Sequence, residues 1–251
     1  MSIARRARQL VALSILLASL SYFTACNSTP RLIEPTPMTQ HVKLVKIDDS
    51  MADTPANSPI LPAFETEAER LDLLKADAAD DFRNQNRKWF AQSFPPEKDR
   101  FRPFGEWEKM QAVWTTYSNG MPSVKPVRRM FAQQTINFVR HSNPPVKAHV
   151  IVNGQNVAND FDKALDEFGA TKEDKAKVVY VQMPNQTIWH IDYGPFPIID
   201  RKENTVAFAD YMYYPNRHID DAIPTRIGQD FYKDVTTYHM AFPFEGGNIQ
   251  S

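Results

Sequence analysis

From Phe101 onward the chain alternates short β-branched and aromatic runs with apolar stripes at helical spacing, and that alternation restricts it to an α/β fold. Residues 112–117 read as a strand. A helix is expected from Pro126, whose fixed φ suits a first turn, with Val127, Met130, Phe131, Gln134 and Phe138 on its apolar face and an end near Pro144 and Pro145. Residues 148–152 form the next strand. Val157, Phe161, Leu165 and Phe168 stripe a second helix, which Gly169 stops as a C-terminal cap. Further strands are expected over 177–182, 196–199, 205–209 and 236–242, and Asp220 and Asp221 are expected to cap a third helix with Pro224 in its first turn.

The first hundred residues are of a different kind. Arg5, Arg6 and Arg8 precede an apolar run over 10–20. That run is shorter than the roughly 20 residues a helix needs to span a bilayer, and it suits an export signal. The string Phe23-Thr24-Ala25-Cys26 resembles a bacterial lipobox, in which the cysteine is acylated and becomes the new N-terminus, although Phe23 stands where an aliphatic residue is usual. A plain signal peptide with a chance cysteine is the alternative. Cys26 is the only cysteine and sits where cleavage should fall, which favours a lipoprotein signal over 1–26, an exported chain and a membrane anchor at Cys26, in the periplasm or on the cell surface. A lipidated Cys26 leaves no thiol for a disulfide, so the domain has to rely on its core. Residues 27–63, broken by Pro30, Pro35, Pro37, Pro55, Pro59 and Pro62, read as a disordered tether. Residues 64–100 read as a helical lead-in, with Ala68, Leu71, Leu74 and Ala78 at spacings of three and four. It either pads the domain or extends the stalk, and the sequence leaves both open.

With 29 basic and 30 acidic side chains, the chain has no field for nucleic acid. No HExxH, cysteine cluster or calcium loop marks a metal site. No GxGxxG, GxxxxGK[ST] or Gly-x-Ser-x-Gly appears, so no cofactor is expected.

Three strings remain: Gly105-Glu106-Trp107-Glu108-Lys109-Met110-Gln111-Ala112-Val113-Trp114, Ile188-Trp189-His190-Ile191-Asp192-Tyr193-Gly194-Pro195, and Phe244-Glu245-Gly246-Gly247-Asn248-Ile249. In this order they resemble the Porphyromonas-type peptidylarginine deiminases and the agmatine deiminases, over residues 101–251. The resemblance implies a pentein fold, five α/β units about a pseudo-fivefold axis, of which this chain would hold roughly the first two to three. It implies a guanidino-group hydrolase that converts an arginine-like or agmatine-like guanidinium to a ureido group plus ammonia. A guanidinium is a flat cation with five donors, matched best by carboxylates that accept paired hydrogen bonds. A thiolate attacks its central carbon, and a histidine serves as acid and base. The resemblance places substrate-binding carboxylates at Asp192 and Glu245, with Trp189 beside the first. Gly246 and Gly247 let the backbone turn and approach closely.

This sequence departs from the family pattern in two ways. Ile191 stands where the family has arginine, and the His-x-Asp string and late cysteine that should follow Glu245 are absent, which implies a truncated chain, inactive alone. His218-Ile219-Asp220 mimics that string but precedes Glu245, so Asp221 is read as a helix cap and His218 as a surface residue. His190 fills a variable position. Trp107, Trp114 and Trp189 are expected in the core, Trp189 also beside the substrate. Glu106 and Glu108 are expected to be solvated, and His149 and His239 packed in strands. Asp192 has a plainer reading as a turn aspartate before Gly194-Pro195. A surface-anchored guanidinium- or peptide-binding lipoprotein without catalysis, and a generic α/β lipoprotein, are the competing functions. Export favours arginine in proteins over free agmatine, and the sequence leaves that choice and the oligomeric state open.

Overall fold

A computed structural model of the chain describes residues 43–46, 61–73, 78–95, 99–105, 108–118, 121, 124–233 and 235–246. The signal segment, Cys26, most of the expected tether, Glu106, Trp107 and Gly247 lie outside the described residues.

Strands β1 (Leu44–Lys46), β5 (Val178–Gln182), β4 (Lys147–Val152) and β3 (Ala112–Tyr117) form a parallel sheet in that order. Thr115, Val150, Tyr180 and Leu44 lie in register across it. From Ala148 to Val152 the central strand β4 is buried on both faces, as expected of a parallel strand covered on both sides. Helices α3 (Lys125–His141) and α4 (Gln155–Glu167) cover one face, packing Phe131, Ile136, Phe161 and Leu165 on Val150 and Val152. The other face carries Ile151 and Val181 and meets Phe208, Ile223 and Ile227.

The second sheet runs β2 (Phe101–Pro103), β6 (Phe196–Asp200), β7 (Thr205–Met212), β8 (Thr237–Pro243). Its first two pairings are antiparallel and the last is parallel. Between β7 and β8 the chain passes through a 3-10 turn (Pro215–Arg217), helices α7 (His218–Asp221) and α8 (Ile223–Arg226), and a π-helical turn over Ile227–Tyr232. The chain is α/β, as the alternation requires. Among the described residues no helix is long and apolar enough to cross a membrane.

Four expectations change, and the lead-in, which the sequence left open, is decided. The first concerns the tether: within 27–63, Leu44–Lys46 form a strand because β5 offers an unpaired parallel edge and the triplet carries no proline. The second concerns α3, whose buried face is Phe131, Ala132, Thr135, Ile136 and Val139 with Arg128, whereas Met130 and Phe138 are exposed. The stripe is hidden in the sequence because Arg128 occupies a core position, its guanidinium held by Asp160 and Glu167 of α4.

The lead-in, open between padding and stalk, packs on the domain. Its helices α1 (Glu67–Leu73) and α2 (Ala78–Gln85) and the 3-10 turn Arg87–Trp89 belong to the packed domain. Arg83 binds Asp221 at 2.6 Å, the Arg226 guanidinium carbon lies 4.2 Å above the Trp89 ring, and Ser93 accepts the His239 amide at 2.7 Å. Third, Asp221 caps no helix. Its buried carboxylate takes the Tyr213 amide at 2.6 Å as well as Arg83, because burial leaves the carboxylate to find its donors within the protein. His218, expected at the surface, is half-buried against the Phe82 ring at 4.2 Å.

Candidate functional site

The Trp189–Pro195 string forms the short helix α6 (His190–Tyr193) followed by a sharp turn. The Asp192 amide bonds the Trp189 carbonyl at 2.9 Å and the Gly194 amide bonds that of His190 at 3.0 Å. Gly194 has φ +87°, a conformation that favours glycine. The helix is pinned to β3 by Thr116, whose hydroxyl meets the Tyr193 hydroxyl at 2.7 Å and His190 Nδ1 at 3.2 Å. Burial holds the His190 imidazole down to about 3, so it is neutral at pH 7. Asp192 is buried, with 8 % of its surface exposed. Ile191, standing at the family's arginine position, points its side chain into solvent.

The Phe244-Glu245-Gly246 string meets this loop directly. A β-carbon on Gly246 would lie 2.0 Å from the Ile191 carbonyl oxygen and 2.3 Å from the Phe196 ring, so only glycine admits this contact. Phe196 also meets Phe244, ring centroids 6.4 Å apart. The two motif strings, about fifty positions apart in sequence, are therefore neighbours in space.

Glu245 accepts a short hydrogen bond from the Tyr214 hydroxyl. Burial and that hydrogen bond push the Tyr214 phenol up to about 12, and the Asp192 charge acts in the same direction. Tyr214 thus remains a donor at neutral pH and lies within the field of both carboxylates. Beside it a cleft of about 320 Å³ is lined by Met212, Tyr213, Tyr214, Pro215, Pro243, Phe244 and Glu245. Its walls are apolar and aromatic, with Glu245 the one charged residue among the described lining, and the Asp192 charge acts on Tyr213 and Tyr214. Such a cleft suits a cation on an apolar arm. Among the described residues no group of three or more His, Cys, Asp or Glu could hold a metal ion.

Trp189 is half-buried against the first core, and its indole N–H donates to the Leu61 carbonyl at 2.7 Å. Trp114 packs into the second core and donates to Tyr232. Glu108, expected to be solvated, is partly exposed and paired. Arg102 holds it at 2.9 Å and, with the Gly105 amide, lowers its carboxyl to about 2. His149 is buried among Trp114 and Phe231, and His239 packs on Phe94. Sequence reasoning missed Tyr214 and Arg217. A Tyr-Tyr-Pro run ahead of the His-Ile-Asp-Asp string was the available signal for Tyr214, and Arg217 carried none.

The fold and the paired loops define an α/β protein in which the Asp192 and Glu245 strings meet beside a tyrosine-lined cleft. The chain belongs to the Porphyromonas-type peptidyl-arginine deiminase family, whose profile matches residues 102–251. The described α/β elements of that region are thus part of a pentein. A protein of Mycoplasma capricolum subsp. capricolum, provisionally named an agmatine deiminase, is 25 % identical over 171 residues, covering 62 % of this chain and 42 % of its own. Among solved structures, agmatine deiminase of Enterococcus faecalis is 22 % identical with a TM-score of 0.48, covering 64 % of this chain and 44 % of that one. Agmatine deiminase of C. jejuni is 17 % identical with a TM-score of 0.47, covering 60 % and 43 %. The chain spans less than half the length of the relatives it matches.

Proposed function

We propose that this chain carries the guanidinium-holding side of a guanidino-group hydrolase, in which an arginine-type guanidinium becomes a ureido group and ammonia. The observation that carries the reading is the packing of Gly246 on the Ile191 carbonyl, which sets the Glu245 loop against the Asp192 loop. Asp192 and Glu245 accept the guanidinium donors, Tyr214 fixes Glu245, and the aromatic walls cover the aliphatic arm. Glycine at 246 is what allows the loops to approach.

No cysteine follows Cys26 in the sequence, and no histidine follows Glu245. In this proposal residues 1–251 therefore bind a guanidinium and do not turn it over unaided, because the attack on the central carbon needs a thiolate. The test is a calorimetric titration with agmatine and with an N-acetylated, C-amidated arginine. Asp192→Asn is expected to weaken binding by about 2 kcal/mol or more, the scale of losing one partner of a desolvated charge pair. Unchanged affinity in that variant returns Asp192 to the role of a turn residue. Ammonia release by the purified chain at a measurable rate overturns the view that it needs a thiolate from elsewhere.

The export string supports a second element of the proposal, that the chain is anchored to a bacterial membrane through a lipid on Cys26. Radiolabelled palmitate should enter the wild-type protein and not Cys26→Ala. Equal labelling of both removes the anchor from the proposal.

A further inference from the structure

Among the described residues the Arg217 side chain is fully buried, with 0 % exposure. A buried guanidinium requires its donors to be met, and they are met mainly from far upstream. Arg217 Nε and Nη2 donate to the two Glu69 carboxylate oxygens at 2.9 and 3.1 Å, a bidentate fork. Nη2 also donates to the Phe64 carbonyl at 2.8 Å, and Nη1 to the Tyr213 hydroxyl at 3.2 Å. The guanidinium carbon lies 5.1 Å from the centre of the Tyr214 ring. Glu69 is itself fixed in a capping box at the start of α1, where its carboxylate takes the Thr66 amide and the Thr66 hydroxyl accepts the Glu69 amide. Three residues before Phe64, the Leu61 carbonyl takes the Trp189 indole.

Residues 61–69 thus touch both sides of the candidate site. They meet the Asp192 loop at Trp189 and, through Arg217, the tyrosine that holds Glu245. They lie upstream of the residues that the family profile matches. We propose that Glu69 and Arg217 form a latch by which residues 61–69 hold the two carboxylate-bearing loops in position for a guanidinium. Glu69 and Arg217 are positioning residues in this scheme: neither lines the cleft, and each acts through Tyr214 or Trp189. The part of the inference that concerns ligand rests on the guanidinium-site reading above; the part that concerns the loops does not.

The test uses the full chain, Glu69→Gln, Arg217→Lys and an Arg140→Gln control, which breaks an ion pair with Asp174 between α3 and α5 (Lys172–Ala176). Amide hydrogen exchange is followed in peptides covering 61–73, 187–195 and 211–217, beside an agmatine titration. Glu69→Gln is expected to speed exchange in all three segments and to weaken agmatine about five- to tenfold, the usual range for coupling through a packed element. Arg217→Lys, which keeps the charge and loses the fork, is expected to fall between that variant and the wild type. Arg140→Gln should leave all three segments as they are. Faster exchange confined to 61–73, with agmatine affinity unchanged, overturns the latch. If the wild-type chain binds no agmatine while the three segments still loosen together, the guanidinium reading falls and the latch stands. Should Glu69→Gln not fold, Arg217→Lys carries the same comparison.

Discussion

The two hydrophobic cores of this protein are built on different terms. The core between the parallel sheet and α3 and α4 is mainly apolar, with Tyr117, Val150, Val152, Phe161 and Leu165 in contact, although α3 also buries Arg128 and Thr135. The core on the sheet's other face borders a region that buries Asp210, Arg217, Asp220, Asp221 and Arg226 as well as Ile223 and Ile227. Burial pushes Asp210 and Asp221 upward, and Asp220 up to about 7, against the hydrogen bond from the Gln186 amide and the charge of Arg217. The lesson is one of division. One side is stabilised by apolar burial, which is tolerant of detail. The other depends on donor and acceptor matching, which fixes geometry and fails when one partner is removed.

The largest effect should come from the first core. Phe161→Ala is expected to cost about 3–5 kcal/mol in urea unfolding, as buried phenylalanines do. The surviving folded fraction should keep its ligand affinity, and a loss of affinity as large as the loss of stability would break the division. Asp221→Ala, on the second side, leaves Arg83 and the Tyr213 amide without their acceptor. It should cost about 2–3 kcal/mol and loosen the lead-in as well, read as faster proteolysis near Arg83.

Gly246→Ala sharpens the contrast from the site itself. The added carbon would meet a backbone oxygen, so a loop must move, at a cost of about 1–3 kcal/mol. Calorimetry should show that cost mainly as lost guanidinium affinity; full affinity in the variant would separate the two loops functionally.

A pH series addresses the sheet that joins the two sides. Burial, with the Lys147 charge assisting, holds the His149 imidazole down to about 4, against an ordinary value of 6.5. The unfolded state therefore binds the additional proton between those values. The contribution is complete above pH 6.5 and is lost as the pH falls toward 4. His149→Phe should flatten this part of the unfolding curve, and a slope unchanged in the variant would assign it to other groups. The smallest effect is expected at the exposed Glu67–Arg70 pair of α1, where Arg70→Gln should change stability by less than about 0.5 kcal/mol. A larger loss there would mean that α1 is held by more than the latch at Glu69.

Much of the first core could be read from the sequence, because apolar periodicity is a direct record of burial. The stripe Val157, Phe161, Leu165 and the strand 112–117 are both found in place. The α3 face was misread by one register position because Arg128 and Thr135, polar by type, sit inside. The second core was less legible for the same reason on a larger scale. Nothing in the residue types of Arg217, Asp220 and Asp221 says that they are buried, since each is buried only where a distant partner meets it. Tyr214 and Glu69 were invisible as site neighbours because their partners lie 31 and 148 positions away.

By itself, the sequence determined the α/β class, the order of the main strands and helices from Ala112 onward, and the family to which Asp192, Glu245 and Gly246 belong. These are local patterns and strings, carried by consecutive residues. Only the tertiary structure decided that the lead-in is part of the domain, that Leu44–Lys46 add a strand to β5, and that Gly246 rests on the Ile191 carbonyl. Those contacts depend on which distant donors and acceptors are brought together once water is excluded, and no single stretch of chain carries that information.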